Sequence, residues 1–375
     1  MSITTFITRL EPGPDDGPVL AVKDIIDVAG VPTTAGSRAV ADGVSPAPID
    51  AACMRGARSH RARLIGKTNL FELAFGASGL NEHFGTPVNP LDPRVVPGGS
   101  SSGSAVVVAT HEADVAYGSD TGGSIRIPSA FCGTAGLKTT FGRIPLGGVW
   151  PLAPSLDTIG PMARDVAGLV LGMELLEPGF AVDVPAAGSV ARLRLPGIEV
   201  DPLIDSAVDS ALALAELDVS EWELSQWLDA HRAALAIINF EAVRSNRRLT
   251  DDPALRAKLG HFVAARLESA AATTQAQAEA AWQFQPNLRD ELGALLDRFQ
   301  LLALPSVRFF PPPLEGAATI TYTELTSPLN LAGLPALSLP VPTSGPLPAG
   351  LQLVARAGDE ALLLATGGCV EQALA

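Results

Sequence analysis

Lysine is nearly missing from this chain. Of 375 residues 26 are basic, and only Lys23, Lys67, Lys138 and Lys258 are lysines. Charge is scarce altogether, at 18% of residues against 47% hydrophobic, and 40 acidic residues leave a net charge of −14. So apolar a composition excludes a disordered polymer. So negative a chain repels phosphate backbones, which excludes nucleic-acid binding over a broad surface. No apolar run reaches the roughly 18–20 residues of a membrane span. Residues 1–16 hold no basic cluster followed by an apolar core, so no secretory leader is expected. Cysteine is limited to Cys53, Cys132 and Cys369, widely spaced and without a CxxC pair, which reads as reduced thiols in a cytoplasmic protein. The five histidines are scattered, with neither HExxH nor a Cys/His cluster, so no metal and no cofactor are expected.

What is present divides by texture. Residues up to about 175 are rich in Gly, Pro and Ser, with short strand-like and helical runs between them. Val19 to Ile26, Arg63 to Ile65 and Val115 to Gly118 read as strands; Ala51 to Ser59, Ser104 to Thr110 and Arg164 to Leu176 read as helices. Such alternation predicts a parallel or mixed sheet covered on both faces. Residues from about 200 to 300 are rich in Ala, Leu and Glu and helical in period. Asp252-Pro253 is a helix start, followed by Leu255, Leu259, Phe262, Val263 and Leu267 on one face. Strand texture returns at Leu301 to Pro305 and Leu337 to Val341, and Glu360 to Gly367 suggests a last helix. Strand-like segments on both sides of the helical stretch favour one α/β unit with an α-helical middle.

Chemistry concentrates in two glycine-serine loops and one lysine. The loops are Pro97-Gly98-Gly99-Ser100-Ser101-Ser102-Gly103-Ser104 and Ser119-Asp120-Thr121-Gly122-Gly123-Ser124-Ile125-Arg126. Paired glycines let a backbone approach a ligand, and free N–H groups at helix starts attract negative charge. A single such stretch could be a plain linker; two beside apolar segments are less easily dismissed. A phosphate cradle fails, because Gly66-Lys67-Thr68 lacks the earlier glycine, its place being taken by Arg61. Gly99-Ser100-Ser101-Ser102-Gly103 matches the G-x-S-x-G elbow, with Ser101 as nucleophile of an esterase. That fold needs a late histidine, whereas the last here, His261, falls on the solvated side of its helix. A third option makes Lys23 the base. It sits in an apolar run where a charged ammonium is expensive, and burial lowers a lysine's pKa toward usefulness as a base. Against this stands a lysine that snorkels or pairs with Asp24 or Asp27.

At this point the residues resemble the amidase signature family, with its Ser–cisSer–Lys triad. The likeness rests on Val22-Lys23-Asp24, Gly66-Lys67-Thr68-Asn69, both serine loops, Gly136-Leu137-Lys138, Ser155 to Pro161 and Asn330 to Ala336. It spans about residues 17 to 365 and is weakest in the helical middle. It implies a single α/β amidase domain over 1–375, a central twisted mixed sheet covered by helices on both faces. Within it lie the core motifs at 17–175, the helical middle at about 200–300 and the C-terminal strands and helix at 301–370. The resemblance implies Ser124 as nucleophile, Ser100 as the bridging serine beside a cis peptide at Gly99–Ser100 or Ser100–Ser101, and Lys23 as base. Thr121, Gly122 and Gly123, with the Ser124 N–H, are the implied oxyanion holders. Asp120, Arg126 and Ser101 are implied supports, and Ser102 a further buttress.

The implied activity is hydrolysis of a linear carboxylic amide to acid and ammonia or amine through a Ser124 acyl-enzyme. The implied partner is a small-molecule amide, with a homodimer as the candidate assembly and neither nucleic acid nor membrane. The texture is similar to short amidases acting on arylacetamides. Phe71 to Phe84 and Trp150 are candidate pocket walls, with buried core the default for each aromatic. Alternatives are the amidase subunit of a tRNA-dependent amidotransferase, against which the shortened chain argues, and a catalytically silent scaffold, against which the retained Lys23, Ser100 and Ser124 argue. Lys67 and Lys138, inside shared motifs, are expected to be structural.

Overall fold

The strand-like runs assemble into one mixed sheet. In a computed structural model that describes residues 4–11, 13 and 16–375, eleven strands are hydrogen-bonded side by side. In chain order they are β1 (Phe6–Arg9), β2 (Val19–Lys23), β3 (Arg63–Thr68), β4 (Val115–Asp120), β5 (Ala135–Lys138), β6 (Thr158–Ala163), β7 (Ser189–Arg194), β8 (Asp218–Glu223), β9 (Leu301–Pro305), β10 (Ala336–Val341) and β11 (Ala349–Val354). Across the sheet the order is β1-β3-β2-β4-β6-β5-β10-β11-β9-β7-β8. β3, β2 and β4 run parallel, as do β9, β7 and β8, while the other neighbours are antiparallel. Every residue of β4, β6 and β11 is buried, so the middle of the sheet is covered on both faces. The reading of residues 1–16 as leader-free falls in part on residues outside those described.

Helices of six residues or more are α1 (Ser102–Ala109), α2 (Arg126–Cys132), α3 (Val166–Leu176), α4 (Pro202–Leu214), α5 (Trp227–Ser245), α6 (His261–Ala270), α7 (Gln275–Arg298), α8 (Ser327–Ala332) and α9 (Glu360–Leu374). Their ends follow local chemistry. Asp201 accepts the Leu203 N–H and Pro202 opens α4; Thr274 and Gln277 form a capping box on α7; Gly133, left-handed at φ 66°, closes α2. α1 and α2 pack on β4 and β5, and α3 lies on β6 with α9 against it.

Three elements differ from the sequence expectation. Asp252 does cap a helix start, accepting the Ala254 N–H at 2.8 Å, but that helix is only Pro253–Arg256. Gly260, extended at ψ 149°, breaks the apolar stripe and caps α6 afresh. The helical middle also contains a strand, β8, whose polar residues suit an edge because one side of it has no partner strand among the described residues. β1, too short to stand out, pairs antiparallel with β3.

Candidate active site

β2 and β4 are parallel neighbours, so their last residues, Lys23 and Asp120, end on the same margin of the sheet. That margin, beyond the carboxyl ends of parallel strands, is where α/β sheets hold ligands. The loop before α1 and the loop between β4 and α2 both lie there. The backbone N–H of Ser101 donates to Ser124 O at 3.2 Å and ties the two loops together. The peptide Gly99–Ser100 is cis.

Lys23 is fully buried, with its Nζ 2.6 Å from Ser100 Oγ and 2.8 Å from Ser119 Oγ. It does not pair with Asp24, which is taken by Lys67 at 2.8 Å, and Lys67 also donates to Thr33 and Pro32 O. Burial drives the Lys23 pKa down to about 7, against the upward pull of the Asp120 and Asp157 carboxylates. A neutral amine beside a serine hydroxyl is thus accessible near neutral pH. Ser124, 8% exposed, is the most accessible serine of the two loops, and its hydroxyl makes no hydrogen bond among the described residues.

The second loop is pinned from below. Asp120 accepts the N–H groups of Gly123 at 2.8 Å and Ile125 at 3.1 Å and the Arg126 guanidinium at 2.8 Å. Burial would raise its pKa, but the Arg126 and Lys138 charges and these hydrogen bonds override it and hold the carboxyl well below the usual range. Arg126 reaches on to Thr326 O, Gln352 and Asn330 at 2.6–3.0 Å, linking the loop to α8 and β11. Lys138 donates to Thr139 O and Leu334 O, a fully buried tie across the sheet. The Thr121 hydroxyl donates to Asp157 at 2.6 Å, and the Thr326 hydroxyl to Gly122 O at 2.6 Å.

One detail separates the backbone N–H groups of this loop. The Gly123 N–H is already given to Asp120, so the loop N–H groups left without a backbone or side-chain acceptor among the described residues are those of Thr121, Gly122 and Ser124. Gly123 serves instead by its backbone shape: it sits at φ +133°, and a Cβ there would stand 2.3 Å from Thr326 Oγ1. Ser101 is fully buried and bonded to both polar groups of the Ser119 backbone, as a buttress would be. That burial removes the esterase elbow reading. Ser119, Asp157, Thr326 and Asn330 have roles that the sequence alone does not reveal. Each lies inside or beside a motif, but its contact is made by folding together segments far apart in the chain.

Beside the loops opens a cavity of about 390 Å³. Phe71, whose N–H donates to Ser100 O, forms part of its wall, as does Thr323, whose methyl would lie 3.8 Å from a Cβ on Gly122. His261 is exposed, as expected, and stands at this cavity. Trp150 does not: it lines a separate cavity with Val40, Leu249 and Leu255.

The family model described as Amidase matches residues 8–364, and the chain belongs to this amidase family. It is 36% identical to a glutamyl-tRNA(Gln) amidotransferase subunit from Thermus thermophilus, over 98% of this chain and 87% of that protein. Among solved structures it is similar to a crystal structure of an amidase (TM-score 0.84, 32% identity, 97% of this chain and 86% of that one). It is also similar to a protein described as a vestigial protein complex that reveals the origins of an s-triazine catabolic enzyme (TM-score 0.87, 28% identity, 95% and 83%). These findings correct one expectation. Against the expected small-molecule amide and homodimer stand relatives named as amidotransferase subunits and a structural neighbour described as a protein complex.

Proposed function

We propose that the chain breaks a carboxylic amide C–N bond with Ser124 as nucleophile, Lys23 as base and Ser100 as relay between them. Neutral Lys23 takes the Ser100 proton while Ser100 takes that of Ser124, and Ser124 Oγ bonds to the carbonyl carbon. The N–H groups of Thr121, Gly122 and Ser124 receive the oxyanion, each worth about 3–4 kcal/mol in sites of this kind. The proton returns through the same relay to the departing nitrogen, leaving an acyl-ester that water hydrolyses to the acid. The observation that carries this reading is the 2.6 Å approach of buried Lys23 to Ser100, together with a pKa brought down to about 7. The three free thiols of Cys53, Cys132 and Cys369 support placing the chain in the reducing cytoplasm.

The names of the relatives favour one form of this reading, in which the amide nitrogen is released for transfer within an amidotransferase assembly rather than simply discarded. Ammonia release from glutamine and from simple amides, measured for the purified chain alone and with amidotransferase partner proteins added, separates the two forms. Stimulation of glutamine turnover by the partners supports the assembly; equal rates with and without them support a free-standing hydrolase. In either case Ser124→Ala should abolish release. Equal release by wild type and Ser124→Ala rules out the mechanism.

A further inference from the structure

α5 belongs to the helical middle, where the sequence likeness is weakest, yet it lies against the surroundings of the second reactive loop. It packs on α8, and His231, Ile238 and Glu241 all project from one side of it. A Cβ placed on Gly122 would stand 3.2 Å from Ile238 Cδ1 and 3.7 Å from Ser327 Cβ, so these two side chains flank the Gly122 Cα. His231 Nδ1 in turn lies 2.8 Å from Ser327 Oγ. On the other flank Glu241 accepts the Ser155 N–H at 3.0 Å, and Asp157, two residues further on, receives the Thr121 hydroxyl.

Ser327 is fully buried and His231 is 7% exposed, and among the described residues each is the other's side-chain partner. Burial, with the Arg232 charge adding to it, pushes the His231 pKa down to about 4, so the ring is neutral near pH 7. A buried hydroxyl bonded to a neutral imidazole contributes little net stability over an apolar pair of the same shape. What it does supply is direction, because a hydrogen bond weakens steeply as its angle departs from linear. Ser327 opens α8 directly after Thr326, whose hydroxyl holds the Gly122 carbonyl at 2.6 Å. The Gly122 carbonyl is therefore tied and its Cα bounded, while its N–H has no acceptor among the described residues.

We infer that His231 and Ser327 form a positioning pair for the oxyanion site. By fixing the start of α8 against Gly122, the pair sets the direction of the Gly122 N–H. This role rests on the Ser124 reading, to which it adds two residues that steer a donor rather than react. It acts on the donor side alone and leaves the Lys23–Ser100 relay as it is.

The probe is an alkyl fluorophosphonate. Ser124 Oγ bonds to phosphorus, fluoride leaves, the serine proton passes through Ser100 to Lys23, and the phosphoryl oxygen takes the oxyanion position. Mass spectrometry locates the label. Ser327→Ala and His231→Leu should each lower the maximal labelling rate on the order of 10-fold, less than the loss on deleting a donor outright. The half-saturating concentration should stay within about twofold, since the ground state is untouched. Each single variant also leaves a buried polar partner unpaired and should lower the melting temperature. The double variant removes both polar groups, so its melting temperature should recover while its labelling stays slow. His231→Asn, which offers a polar atom at the reach of Nδ1, should restore part of the rate. In all of them the pH dependence of labelling should keep its midpoint near 7, set by Lys23. A double variant whose rate recovers along with its melting temperature, single variants that label as fast as wild type, or a displaced midpoint would each overturn the positioning role. Wild type that takes no label on Ser124 is a different result: the Ser124 reading then fails, and this role with it.

Discussion

Lys23 owes its pKa of about 7 to burial, which outweighs the attraction of Asp120 and Asp157. The rate of acylation should therefore rise with pH through about 7 and level off above it, as the amine loses its proton. Asp157→Asn removes one of the two opposing charges, so its pH–rate profile should shift to lower pH. Lys23→Arg keeps the charge but cannot release it, and should cost about 10²–10⁴-fold in acylation by an activated phosphonate. The same burial couples the lysines to stability. Lys138, like Lys23, is lowered by desolvation to about 7. Between about 7 and 10 the unfolded chain holds these protons and the folded chain does not, so stability rises with pH across that window. Below it the penalty is complete, and above the unfolded lysine pKa it vanishes. Denaturant unfolding of Lys138→Met at several pH values should show a shallower rise than wild type, by about 1.4 kcal/mol per pH unit.

At the level of elements, the loop from β4 to α2 depends on a backbone only glycine adopts easily. Gly123→Ala places a methyl 2.3 Å from Thr326 Oγ1 at φ +133°. It should destabilise the fold by about 1–3 kcal/mol and lower kcat further by tilting the Gly122 and Ser124 N–H groups, as read from denaturation midpoints and single-turnover rates. The residues of this loop, with Lys23 and Ser100, stand out in sequence because glycine, serine and a lone lysine in apolar text are chemically conspicuous. The Lys23–Ser119 contact and the Arg126 bridge to Gln352 do not, since they join segments 96 and 226 residues apart. The start of α6 is hidden for a different reason. Hydrophobic periodicity runs straight through Gly260 and merges α6 with the short helix before it, so the break between them leaves no mark in the pattern.

On the scale of the whole molecule, the sheet is made of two runs of strands. Residues from β1 to β6 and residues from β7 to β11 meet where β5 and β10 pair antiparallel, Lys138 opposite Ala336. The alternating texture makes the sheet itself predictable. It cannot give the strand order, because that seam is formed by distant segments of the chain, nor the edge strand β8, whose composition resembles the helices around it. Among the described residues, β8 carries Asp218, Glu221 and Glu223 along an exposed margin bonded only to β7, and Arg194 answers just one of them, Glu221. The free margin offers unpaired backbone groups to any extended chain that drifts past, and three carboxylates in six residues make each passing copy of the same margin unwelcome. Colloidal behaviour therefore hangs on this strand. Replacing all three with threonine should leave the melting temperature nearly unchanged yet speed the growth of light scattering in concentrated solution, and an unaltered scattering rate would show that the margin is guarded by something else.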